Sequence, residues 1–125
     1  MRTVLESPDA PKAIGPYSQG VKVDQMIFLS GQIPLDPASG QVVEGGVEVQ
    51  AERVIRNIAA MLAAGGATLK NVVKATMFLK DMNDFPKVNA VYAGHFTENP
   101  PARSTVEVAR LPRDVLVEIE VIAVL

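Results

Sequence analysis

Few side chains here are equipped for covalent or acid–base work. The chain has no cysteine and no tryptophan, and its one histidine is His95. Disulfides, thiol nucleophiles and thiolate metal sites are therefore excluded. A serine hydrolase would need His95 beside a nucleophile on a G-x-S-x-G turn, and no such turn occurs; Ser30-Gly31 merely follows an apolar run. His95 reads instead as a core-edge or surface histidine within a helix. Gly45-Gly46 and Gly65-Gly66 match neither a dinucleotide fingerprint nor a phosphate loop, and serve as helix punctuation. What remains is arginine and carboxylate. Arg103, Glu107, Glu118 and Glu120 cluster in the last quarter of the chain. A guanidinium offers a rigid fork matched to a carboxylate ligand. Glu118 and Glu120 alone bring too few oxygens for a hard cation, so no metal is expected.

These groups must be positioned by elements legible in the pattern. Tyr17–Val23 and Met26–Ser30 are short apolar or alternating runs around Val23-Asp24-Gln25, which predicts a β-hairpin. Residues 34–40 (P-L-D-P-A-S-G) are turn formers. Between Val47 and Ala64, Ala51, Val54, Ile55, Ile58 and Leu62 recur at helical spacing, and Gly65-Gly66 stops the helix. Val72–Leu79 is a strand. A second helix starts near Asn83, tolerates Pro86 in its first turn, shows Phe85, Val88, Tyr92 and Phe96 on one side, and ends at Asn99-Pro100-Pro101.

The last two strands, Arg103–Ala109 and Val115–Val124, are expected to pair as a hairpin through residues 110–114. Val106 and Val108 would then lie beside Val117 and Ile119 on the core face. Arg103, Thr105 and Glu107 would share the other face with Leu116, Glu118, Glu120 and Ile122. That mixed face is either a solvated surface or one covered by another copy of the chain; apolar Ile122 and Val124 favour the second. Two helices cannot cover both faces of such a sheet, so the expected fold is one α+β layer with helices on a single face.

The chain of 125 residues suits one domain, 1–125, burying roughly two-thirds of its unfolded surface. Its net charge of −2, with basic residues scattered, makes nucleic acid a poor partner. No run approaches the ~20 apolar residues that span a bilayer, and no signal pattern opens the chain, so neither a membrane nor secretion is expected and a cytoplasmic location is.

Four segments add what spacing cannot. Residues 13–20 (A-I-G-P-Y-S-Q-G), 29–34 (L-S-G-Q-I-P), 85–92 (F-P-K-V-N-A-V-Y) and 101–112 (P-A-R-S-T-V-E-V-A-R-L-P), the last continuing to Val117-Glu118-Ile119-Glu120, resemble the reactive intermediate deaminase family, also called Rid or YjgF. The resemblance implies a chorismate-mutase-like α+β fold and a homotrimer with ligand clefts between subunits. It implies cofactor-free hydrolysis of reactive 2-imino and 2-enamino acids, such as 2-aminoacrylate, to 2-keto acids and ammonia. By similarity, Arg103 binds the substrate carboxylate and Glu118 positions the attacking water. Tyr17, Ser30, Gly31, Asn89 and Thr105 match further cleft positions. Many members carry a cysteine where Thr105 stands, which puts thiol-based control in doubt here. Other readings stay open: a non-catalytic sensor of small carboxylates needing Arg103 but not Glu118, an RNA-cleaving translation inhibitor, or a chaperone-like holder. Arg103 could also be a structural ion pair with a glutamate, and pattern alone does not separate Glu118 from Glu120.

Overall fold

The computed structural model describes residues 1–125. Its strands are β1 (Arg2–Leu5), β2 (Gly20–Val23), β3 (Met26–Leu29), β4 (Val72–Leu79), β5 (Ala102–Glu107) and β6 (Val117–Val124). Its helices are α1 (Val47–Ala64) and α2 (Phe85–His95). The strands form one six-stranded sheet in the order β1-β2-β3-β6-β4-β5. Both helices cover the same face, giving the α+β layer that the element count requires. The bounds of α1 and β4 coincide with the expected ones. The first hairpin forms as expected, although β2 begins at Gly20 and leaves Tyr17–Gln19 as loop. The β1 strand is not signalled by any run in the sequence; its four residues extend the sheet by pairing with β2.

Helix α1 is held by packing, because its N-cap, Gly46, supplies no side-chain hydrogen bond. Its stripe of Val47, Ala51, Val54, Ile55, Ile58, Met61 and Leu62 is buried against Ile27, Met77, Ile119 and Val121 of the sheet. Each large aliphatic side chain so buried contributes about 1.5–3 kcal/mol. The helix ends in a Schellman motif: Ala67 N–H donates to Leu62 O (2.9 Å) and Gly66 N–H to Ala63 O (3.0 Å), with Gly66 at φ +83°. Lys22 Nζ donates to the Gly65 carbonyl of the same terminus. Pro86 sits in the first turn of α2, as anticipated; Asp81 caps the short 3₁₀ turn before it rather than α2 itself. His95 is the last residue of α2, not a mid-helix one, and its Nε2 lies 2.8 Å from Glu52 Oε1 on α1.

The expected final hairpin does not form. Strand β5 pairs in parallel with β4, through the crossover that contains α2, and β6 inserts antiparallel between β3 and β4. The 110–114 connection therefore passes the end of β4 instead of making a tight turn. It carries left-handed backbone at Arg113 (φ 55°) and Asp114 (φ 56°), and Arg113 Nη1 donates to Gly40 O.

The pairing reverses the expected faces of β5. Arg103 stands opposite Ala75 and Thr105 opposite Met77, both on the helix-covered side. Glu107 confirms that side by accepting Met82 N–H (2.8 Å) at the approach to α2. Glu118 and Glu120 lie beside Phe78 and Thr76 on the open side. Arg103 and Glu118 thus occupy opposite faces, with β4 between their strands. Side chains alternate along each strand, so pairing β5 with β4 rather than with β6 sets this result.

Candidate active site

Glu118 is half-buried on β6, and the chain curls around it. Between Phe28↔Ile122 and Gln32↔Ile119 the β3 side advances four residues while β6 advances three. This is a β-bulge at Ser30-Gly31, and such insertions open a ladder and re-aim its groups. Gln32 N–H donates to Ile119 O (2.8 Å) and Ile119 N–H to Gln32 O, but Gly31 N–H has no acceptor in the chain. What a side chain at 31 would meet is Glu118 and not backbone strain: a Cβ there would collide with Glu118 Oε2 and stand 2.9 Å from its Cδ. The carboxylate therefore rests directly on a bare peptide edge. Burial, and secondarily the charge of Glu120, pushes the Glu118 carboxyl above the usual glutamate range. A glutamate so placed is a stronger base than an exposed one, suited to taking a proton from water and returning it.

Buried amides hold the frame around it. Asn57 on α1, fully buried, donates to Ile33 O (3.3 Å) and Leu35 O (3.0 Å). Gln50, two turns earlier on the same stripe, accepts Leu116 N–H (2.8 Å) just before β6. Gln19 accepts Ser7 N–H and donates to Pro11 O (2.7 Å), fixing the loop that carries Tyr17. None of these was flagged by sequence reasoning. A signal existed for two of them, since Gln50 and Asn57 interrupt the apolar stripe of α1 at helical spacing. Ser30 Oγ donates to Ser18 O (2.6 Å), joining the bulge to the same loop. Tyr17 is exposed, its hydroxyl accepting Ile14 N–H (3.2 Å), and it shares a small hollow with Gly31 and Gln32.

Arg103 belongs to a second place. It lines an open concavity of about 350 Å³ with Asn89, Tyr92, Ala93, Phe96 and Pro100-Pro101. Its guanidinium carbon lies 4.6 Å from the Tyr92 ring centroid and 5.3 Å from that of Phe85. No carboxylate pairs with it, so a structural ion pair with Glu118 or Glu120 does not exist within the chain. Asn89 is half-buried on α2, and Thr105 half-buried on β5 two residues beyond Arg103. A wider hollow, about 710 Å³, is lined by residues such as Glu6, Lys12 and Tyr17 and contains neither Arg103 nor Glu118.

The seven anticipated residues therefore fall into two groups. Glu118, Gly31, Ser30 and Tyr17 gather around the β3–β6 bulge. Arg103, Asn89 and Thr105 gather under α2 at the far sheet edge. With strands about 4.8 Å apart, β5 and β6 stand two spacings from each other, with the two side chains directed to opposite sides.

A sequence model of the family described as endoribonuclease L-PSP matches residues 7–125. The chain belongs to this family, known as Rid or YjgF. Among Rid relatives, a mouse protein named 2-iminobutanoate/2-iminopropanoate deaminase is 51% identical over 124 residues, 99% of this chain and 92% of its own. A Rid-family protein of unknown function from Yersinia pestis superposes with a TM-score of 0.97 at 45% identity, covering 100% of both chains. The structure of Escherichia coli TdcF with bound serine gives 0.94 at 44% identity over 98% of each. No helix of this Rid protein is long and apolar enough to cross a membrane.

Proposed function

We propose that this Rid protein hydrolyses 2-imino acids and their 2-enamino tautomers to 2-keto acids and ammonia, in clefts assembled from two copies of the chain. The observation that carries the proposal is complementary: an arginine whose fork meets no carboxylate, and a glutamate with raised proton affinity, on opposite faces of one sheet. One ligand cannot touch both within a protomer. It could do so if the Arg103 edge of one copy abutted the open face of the next. That face exposes Val4 (54%), Met26 (40%), Val106 (42%) and Val124 (37%) beside Phe28 and Ile122, an apolar surface of the kind that associates. A closed ring of three such contacts gives three equivalent clefts. The names of relatives support the chemistry, since the mouse protein is called an imine deaminase and TdcF was found holding an amino acid.

The reaction asks little of the protein. Arg103 grips the substrate carboxylate and fixes the imine carbon, aided by Asn89 and Thr105. Glu118 of the neighbouring copy accepts a proton as water oxygen bonds to that carbon, giving a carbinolamine. The protonated Glu118 passes that proton to the nitrogen, completing a neutral carbinolamine. Glu118 then takes the hydroxyl proton and delivers it to the amino group, so that the C–N bond breaks as the C=O bond forms, ammonia leaves and the carboxylate is regenerated. Gly31 N–H supplies a donor beside the carboxylate, while Tyr17 and Ser30 close the rim. The imine carbon is already electrophilic, so orientation and one proton carrier provide the acceleration. Thr105 takes no part in proton transfer.

The test generates 2-aminoacrylate enzymatically and follows pyruvate and ammonia above the uncatalysed rate. Arg103→Ala should abolish the acceleration, Arg103→Lys should not restore it, and light scattering should give three times the chain mass for all. Wild-type turnover by Arg103→Ala removes the proposal.

A further inference from the structure

We infer that Phe85 and Tyr92 form an aromatic seat that positions Arg103 for an anionic ligand while leaving its fork unoccupied. The inference rests on the substrate-binding role proposed above for Arg103 and goes on to what holds that side chain. Arginine has a long, flexible stem, and a buried or half-buried guanidinium is ordinarily fixed by a carboxylate or by carbonyls. Here neither does so: Arg103 makes no ion pair and donates no hydrogen bond within the chain. Its placed neighbours are two ring faces, Tyr92 at 4.6 Å and Phe85 at 5.3 Å.

Ring faces attract the cation through their quadrupole, yet they neither neutralise its charge nor fill the in-plane donor positions that match a carboxylate. A glutamate in the same place would compete with the ligand. The seat itself is rigid. Phe85 and Tyr92 are seven residues apart, two turns along one side of α2. Tyr92 is 5% exposed and stacks on Phe96 with centroids 4.4 Å apart at 27°. The Tyr92 hydroxyl is buried and meets no partner at hydrogen-bond geometry, although the Arg103 guanidinium lies near enough to offset part of the rise in its pKa that burial causes; the placed contact with Arg103 is the ring face. Phe85 and Tyr92 are thus positioning residues, acting through Arg103.

The experiment measures pyruvate binding by calorimetry, and KM and kcat with 2-aminoacrylate, on folded full-length variants. Tyr92→Leu should weaken pyruvate about tenfold and raise KM with a much smaller change in kcat; Phe85→Leu should weaken it severalfold; Tyr92→Phe should stay within about twofold of wild type. If Tyr92→Leu fails to fold, half-buried Phe85→Leu still decides the matter. Wild-type affinity in Phe85→Leu and Tyr92→Leu, with binding lost in Arg103→Ala, overturns the seat and leaves the binding role standing. A loss in Tyr92→Phe equal to that in Tyr92→Leu also overturns it, because the hydroxyl would then be the contact. Wild-type affinity in Arg103→Ala instead overturns the role on which the seat depends.

Discussion

Gly31→Ala separates catalysis from stability more sharply than any other change in the half-site around Glu118. The added Cβ would stand 2.9 Å from Glu118 Cδ, whereas ordinary contact begins at 3.4 Å. The carboxylate carbon must therefore retreat by at least 0.5 Å (3.4 − 2.9), and the nearer oxygen by more. The obstacle is the far end of a flexible side chain, so the backbone need not move. Gly31 does not have left-handed φ, so alanine adds no strain there and removes unfolded-state entropy, a gain of about 0.4–1 kcal/mol. Displacing a catalytic group by about 1 Å costs on the order of a hundredfold in rate, or about 2.7 kcal/mol of barrier. The expected result is a kcat with 2-aminoacrylate reduced roughly a hundredfold, at an unchanged or slightly raised midpoint of thermal unfolding. Steady-state kinetics and calorimetry on the same preparation provide both numbers. Wild-type kcat in Gly31→Ala, alongside an inactive Glu118→Ala control, would refute the idea that this contact sets the position of the carboxylate.

Two further predictions concern proton affinity and the frame. Because burial raises the folded-state affinity of Glu118 for its proton, the ionised form is disfavoured in the folded protein. The associated stability is present below the ordinary glutamate range and is lost as pH rises through the folded value. Glu118→Gln should therefore unfold at a higher temperature than wild type at pH 8 and at nearly the same temperature at about pH 4; a gap that is constant over a pH series of melts would contradict this. Asn57→Ala should destabilise the chain by about 1–3 kcal/mol in urea titrations, since it removes the donor to buried Leu35 O and one of the two donors to Ile33 O, which keeps Leu35 N–H. A change below 0.5 kcal/mol, a threshold set on the order of an ordinary surface substitution, would mean that those carbonyls find other partners.

The elements with strong periodicity and the first hairpin were legible in the sequence, and the pairing of the last two strands was not. Ala51, Val54, Ile55, Ile58 and Leu62 declare α1, and the two glycines after it mark its stop. The β-branched run 72–79 declares β4. In β5 the alternation shows that Ser104 and Val106 differ in side from Arg103 and Thr105, but it does not say which side the helices cover. Val106 suggested the core and is in fact exposed on the open face. The polar row Arg103, Thr105, Glu107 lies under α2 because the helix side of this edge strand borders a concavity instead of a packed interior. Partner choice was hidden for a related reason: β6 lies two strands away from β5, and its place between β3 and β4 depends on contacts distant in the chain. The candidate residues came from the family motifs, and their division into two groups became visible only with the sheet order. The bulge at Ser30-Gly31 left no trace beyond a glycine after an apolar run.

The placement of Arg103 and Glu118 on opposite faces carries a genetic consequence. On the proposed reading each polypeptide contributes to two different clefts and completes neither alone. A gene damaged at codon 103 and another damaged at codon 118, expressed together, would then rescue each other in mixed rings, because one junction unites the intact arginine of one chain with the intact glutamate of the other. Dominance follows the same geometry: a single faulty chain silences the cleft to which it lends the damaged half and spares the one beside it.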